Sequence, residues 1–174
     1  MMTEDAVMES LVEPICDHLV PILEETLNTS AERHALAHNK GADGFSFGTD
    51  AWSLPARRFR ELAEEGTIPF DVISDDGCVL IHKEQRIRHH RVGASEHDDI
   101  NASFPRNAKA AARETYQQYT LPFNCEPSEG SKVTSGTVVL AYMANANDGL
   151  CAVYLTRVGE VLKGKVVRWS CTRE

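Results

Sequence analysis

The sequence has no long apolar run and no basic N-terminal segment. No stretch approaches the roughly 20 apolar residues that a membrane-spanning helix needs. The first ten residues, MMTEDAVMES, carry acidic side chains where a signal peptide carries basic ones. These absences argue against a membrane-spanning or secreted protein and predict a cytoplasmic one.

Cysteine pairs and nucleotide-binding loops are absent as well. The five cysteines are widely spaced, and none forms a C-x-x-C pair, which argues against a disulfide framework, a zinc ribbon and a redox motif. Neither a phosphate loop nor a G-x-G-x-x-G segment occurs. The sequence therefore gives no reason to expect a nucleotide cofactor, and no cofactor is predicted.

Negative charge is concentrated at one end of the chain. Residues 1–50 hold ten acidic and two basic side chains, so they account for the whole net charge of −8. Such a balance disfavours loose, non-specific binding of nucleic acid by the whole molecule. A local basic site remains compatible with it.

Length and periodicity predict one α+β domain over residues 1–174. Apolar residues recur every three or four positions from 4 to 28, although two prolines interrupt this pattern, so residues 1–40 are expected to form an acidic helical arm. A core over 41–174 follows, with the order α-β-β-β-α-β-β-β. This order predicts an antiparallel sheet of about six strands with helices on one face. Hairpin turns are expected at Lys83-Glu84 and at Asn147-Asp148-Gly149.

The stretch GFSFG, residues 44–48, matches the G-x-S-x-G pattern of a serine nucleophile. That motif needs a strand before it and a helix directly after it. Here a helix and NKGAD come before it, and the next helix is expected only from about residue 53. We therefore interpret the segment as an extended connector whose two phenylalanines pack on the core, and not as a nucleophile at Ser46.

The segment HKEQRIRHHRVG, residues 82–93, has the highest local density of arginine and histidine. On a strand, alternation places Ile87 on one face with two of these side chains, and that face is expected to be partly buried. Guanidinium groups bind phosphate and carboxylate with two hydrogen bonds. The candidate ligand-binding residues are Arg86, Arg88, His89, His90 and Arg91. The alternative is a solvated strand whose charges discourage aggregation.

The element order α-β-β-β-α-β resembles the core of the PD-(D/E)xK nuclease-like folds. The resemblance implies a divalent-metal site built from an acid on the second strand and an (E/Q)-x-K segment on the third. Asp75 or Asp76 is the candidate for the first acid, and Glu84-Gln85-Arg86 stands where E-x-K is expected. The arginine departs from that pattern.

Two groups of histidines are further metal candidates. His34 and His38 are four apart on an expected helix and so share a face. The group Glu96, His97, Asp98 and Asp99 also contains ligand types, but we interpret it as a solvated loop whose acids favour the N-terminal dipole of the helix that follows.

Three hypotheses follow. The first is a non-enzymatic binding or regulatory module that recognises nucleic acid or another anionic ligand through residues 86–91. The second is a metal-dependent nuclease-like hydrolase. The third is an assembly module that binds a protein partner, or a second copy of the chain, through the acidic N-terminal helices.

Overall fold

The computed structural model describes residues 4–37, 44–73, 78–100, 138–162 and 165–173, and the side chains of residues 6–37, 46–73, 78–100 and 138–157. Three α-helices are found in this part of the chain: α1 (Glu4–Pro14), α2 (Val20–Ala37) and α3 (Gly44–Glu64). The described strands are β1 (Asp71–Ile73), β2 (Val79–His82), β3 (Gln85–Gly93), β4 (Val138–Asn145), β5 (Gly149–Leu162) and β6 (Lys165–Arg173).

Helices α1 and α2 are joined by a single wider turn. Residues Ile15–Leu19 are π-helical, and the Val20 N–H donates to the carbonyl of Ile15. The turn directly precedes Pro21, whose ring would clash with the carbonyl four residues earlier in a regular α-helix. A π-helical turn relieves that clash, so the expected interruption takes this form. Helix α2 then continues without a break to Ala37.

Helix α3 begins nine residues earlier than expected, because GFSFG forms its first turns and not a connector. Phe47 and Ala51 are buried there, one helical turn apart, so core packing outweighs the turn propensity of glycine. Pro55 consequently lies inside the helix, where it cannot donate to the Ala51 carbonyl. The hydroxyl of Tyr142 donates to that same carbonyl at 2.7 Å.

The sheet has the strand order β1-β2-β3-β4-β5-β6. Its neighbouring strands are antiparallel except for β3 and β4, which are parallel, with His89 opposite Leu140. The α+β class is therefore confirmed, and the expectation of a purely antiparallel sheet is wrong. Alternation within a strand shows which residues share a face but not the direction of the partner strand. The helix expected near residues 105–120 lies outside the described residues.

Helices cover one face of the sheet, which we call the inner face. Buried residues of all three helices and the π-helical turn share one apolar cluster with the inner-facing side chains of β2 to β5. Its fully buried members include Leu11, Leu23, Phe59, Leu80 and Leu140. The opposite or outer face has a second cluster centred on β4 that contains Val139, Ala141 and Met143. The N-terminal helices thus contribute directly to the main core.

The expected hairpins are confirmed at both of their described turns. Lys83 and Glu84 join β2 to β3 with φ of 47° and 70°, as a two-residue hairpin turn requires. Gly149 starts β5 with φ of 71°, and the backbone N–H of Leu150 donates to the side-chain carbonyl of Asn28 on α2 at 3.2 Å. The second hairpin is therefore held against helix α2.

Gly149→Ala is expected to destabilise the protein more than Gly66→Ala. Both glycines have positive φ, which costs an alanine about 1 kcal/mol. A Cβ on Gly149 would also collide with Asn28, whereas nothing lies within 4 Å of one on Gly66. Urea denaturation of both variants should show at least about 1 kcal/mol of additional loss for Gly149→Ala. Equal losses would contradict the docking of this hairpin on α2.

No helix in the described ranges is both long enough and apolar enough to cross a lipid bilayer.

Candidate functional site

Strand β3 distributes the five candidate residues over both faces of the sheet. The burial pattern of Gln85–Gly93 alternates as expected, and Ile87 and His89 are buried. His89 and Arg91 lie on the inner face, beneath α3. Arg88 and His90 lie on the outer face and are half-buried, and Arg86 is exposed on that same face. The five side chains therefore do not form one surface.

His89 is packed between two aromatic rings. The edge of its ring meets Phe59 of α3 at a centroid distance of 5.4 Å. Its face stacks on Tyr142 of β4 at 6.2 Å and an interplanar angle of 13°. The residue is 3% exposed, and its Nδ1 has no hydrogen-bond partner in the described part of the chain. Burial lowers the pKa of His89 to about 3, and the nearby His90 adds to the shift. His89 is thus a neutral core residue at pH 7.

Arg91 anchors the end of β3. Its Nε donates to the carbonyl of Ala144 at 2.8 Å, and its guanidinium lies 5.6 Å from the ring centroid of Phe47. Such a cation–π contact contributes about 0.5–2 kcal/mol. Because these contacts join α3, β3 and β4, Arg91 has a structural role in the described molecule.

The outer face carries a basic area where β1, β2 and β3 meet. Strand register aligns Arg86 with Ile81 on β2, and aligns Val79 with both Arg88 and Ile73. Ile73 is 39% exposed, whereas Val139 and Ala141 further along the same face are almost fully buried. We call Ile73, Ile81, Arg86, Arg88 and His90 the outer patch. It combines two guanidinium groups with apolar surface.

His90 supplies an uncharged ring to this patch at neutral pH. Burial, and then the positive charge of Arg88, lower the pKa of His90 to about 4. None of the described residues hydrogen-bonds to its Nε2. Positive charge in the outer patch therefore comes from Arg86 and Arg88. An anion bound beside Arg88 would offset the repulsion and raise the pKa of His90.

The residues of the nuclease resemblance are not brought together in the described structure. Glu84 is exposed in the turn before β3 and not on that strand. Asp75 and Asp76 lie outside the described residues. Ser46 is exposed and lies inside the first turn of α3, and not at the sharp turn before a helix where a nucleophile elbow holds its serine.

The histidine groups also have structural explanations. His34 lies edge-on to Phe47 at 6.2 Å, and its expected partner His38 lies outside the described residues. Asp98 accepts the backbone N–H groups of Ala94 and Ser95 at 2.7 and 3.3 Å, which stabilises a turn. No cluster of three or more metal-ligating side chains occurs among the described residues.

A cleft between α2 and α3 contains charged residues that the sequence interpretation did not combine. It has a volume of about 310 Å³ and lies in the helix layer, on the other side of the sheet from the outer patch. The residues lining it are Glu25, Thr26, Thr29, Arg33, Leu54, Arg57, Arg58 and Glu61. Within each helix these residues are three or four positions apart and so lie on one face. This spacing is the sequence feature that could have indicated a shared cleft.

Comparison of the chain with known protein families, with curated proteins and with solved structures finds no match.

Proposed function

We propose that the protein is a non-enzymatic binding module that recognises an anionic partner through the outer patch. The observation that carries this proposal is the position of Arg86 and Arg88. They lie two residues apart on one face of β3, about 7 Å from each other along the strand. Two guanidinium groups at that spacing can hold neighbouring phosphate or carboxylate groups.

The surroundings of the two arginines support a binding surface. Helices cover the inner face, so the open part of the outer face is where a partner can reach the sheet. Ile73 and Ile81 add apolar contact area beside the charges, and small exposed apolar areas rimmed by polar groups are typical of binding sites. Described acidic residues also lie near the patch: Glu84 is two residues before Arg86, and Asp71 is aligned with Ile81 at the edge of the sheet.

Arg86→Ala combined with Arg88→Ala is expected to abolish salt-sensitive binding of nucleic acid. Labelled single- and double-stranded DNA and RNA are titrated by fluorescence anisotropy at several salt concentrations. Two phosphate contacts give a slope of log affinity against log salt of about −1.4 for single strands and about −1.8 for duplexes. The double variant should lose at least about tenfold in affinity, since one good charged contact contributes about 1–3 kcal/mol.

Arg33→Ala combined with Arg57→Ala is the matched control, because it removes the same charge from the helix layer. The control should bind like the unmodified protein. If it loses as much affinity as the outer-patch variant, binding follows net charge and the proposal is wrong. A denaturing gel of the same samples with Mg²⁺ or Mn²⁺ detects cleavage, which would favour the nuclease-like hydrolase instead.

A further inference from the structure

The cleft between α2 and α3 has a defined polarity. Only six residues separate Ala37 from Gly44, and short connections of this kind favour antiparallel helices. The contact of His34 with Phe47 near this connection agrees with that arrangement. Lining residues of α2 therefore run from Glu25 to Arg33 while those of α3 run from Glu61 to Leu54. The two ends of the cleft differ in charge.

Two carboxylates mark one end and a guanidinium marks the other. Glu25 and Glu61 belong to the acidic end, and Arg33 lies eight residues from Glu25 on α2, about 12 Å along the helix axis. Arg33 has no ion-pair partner among the described residues. The basic end thus has a cation available to a ligand.

The ion pairs that Glu61 makes with two arginines of α3 are weak enough to rearrange. The Nε of Arg57 contacts Glu61 at 2.8 Å and Nη1 of Arg58 contacts it at 3.5 Å. These hydrogen bonds lower the pKa of Glu61, so it is ionised at neutral pH. Water screens exposed pairs of this kind, so each adds little to stability. A ligand can therefore replace either arginine at Glu61 at small energetic cost.

We propose that this cleft binds a small zwitterionic molecule, with its carboxylate at Arg33 and its ammonium group between Glu25 and Glu61. The volume of about 310 Å³ suits a small molecule whose two charged groups are several bonds apart, such as a dipeptide, at the lower end of ligand-site volumes. This site is independent of the proposed outer-patch function, because it lies in the helix layer and uses different arginines.

The test uses the full chain and 6-aminohexanoate, which has a carboxylate and an ammonium group at opposite ends. Hexanoate and hexylamine each lack one of the two charges and are the matched ligands. Isothermal titration and amide chemical shifts are expected to show saturable binding of 6-aminohexanoate, at least tenfold tighter than either matched ligand. Equal affinity for hexanoate, or no saturable binding, would overturn the proposal.

Substitutions at both ends of the cleft locate the site. Glu25→Ala and Arg33→Ala are each expected to weaken 6-aminohexanoate binding at least tenfold. Glu24→Ala is the control, because Glu24 is the neighbouring exposed acid on α2 but does not line the cleft. Equal weakening by Glu24→Ala would show a general charge effect and not a bound zwitterion. Nucleic-acid titrations of the same variants test the outer patch separately. A loss of 6-aminohexanoate binding with unchanged nucleic-acid binding concerns the cleft alone.

Discussion

The free energy of unfolding is expected to fall by about 4 kcal/mol between pH 7 and pH 5, about 2 kcal/mol for each of two histidines. The pKa is about 3 for His89 and about 4 for His90, whereas an unfolded histidine has a pKa of about 6.5. Below pH 6.5 the unfolded chain takes up protons that the folded chain does not bind. Stability is thus full above pH 6.5 and is lost as the pH falls towards 4.

This loss is large compared with the stability of a typical domain, about 5–15 kcal/mol. Its cause is local: protonated His89 would be a buried cation between Phe59 and Tyr142, with no partner for Nδ1. Leaving such a charge unpaired in the core is strongly unfavourable. Acid should therefore loosen the contact between α3 and the sheet first.

His89→Phe is expected to reduce the pH dependence by about half, because it retains an aromatic ring and removes one titrating group. Urea denaturation at half-unit steps from pH 7.5 to 5 gives the comparison. His97→Gln serves as the control, since the His97 side chain is 87% exposed. A His89→Phe protein with the full pH dependence of the unmodified chain would show that another group is responsible.

The sequence predicted those features that depend on local chemistry. Turn residues at Lys83-Glu84 and Gly149 identified both hairpins, and the alternation of β3 correctly placed His89 with Ile87 on a packed face. The predicted start of α3 was wrong because the glycines at 44 and 48 are typical of turns. The helix is stabilised there by the burial of Phe47 and Ala51 in the core.

Features that depend on distant partners could not be predicted in the same way. The pattern of β3 contains no information on its parallel neighbour β4. The end of β3 at Gly93 and the start of β4 at Val138 are separated by 44 residues. Alternation correctly predicted that Arg88 and Arg91 lie on opposite faces of the sheet. It could not predict which of the two faces the helices pack against. Likewise, the cleft needs α2 and α3 to lie side by side before Arg33 and Glu61 can serve one site.

Tyr142→Phe is expected to destabilise the protein by up to about 3 kcal/mol, because it leaves a buried carbonyl without a donor. Tyr142 is fully buried, and burial raises the pKa of its hydroxyl above the ordinary value, so it remains a donor at neutral pH. The acceptor is the Ala51 carbonyl, at 2.7 Å. In a regular helix the N–H of residue 55 would donate to this carbonyl, but residue 55 is a proline and has no N–H.

A double-mutant cycle with Pro55→Ala distinguishes this pairing from general loss of packing. Alanine at position 55 supplies the missing N–H, so the Ala51 carbonyl keeps a partner when the hydroxyl is removed. Tyr142→Phe should then cost about 1–2 kcal/mol less in the Pro55→Ala background, as measured by urea denaturation. Tyr154→Phe, which removes a buried phenol on the outer face, should cost the same in both backgrounds. If the cost of Tyr142→Phe is also independent of residue 55, the proline and the tyrosine are not coupled. A positive coupling would explain how a helix with an internal proline is retained: a hydroxyl from β4 replaces the hydrogen bond that the helix cannot make.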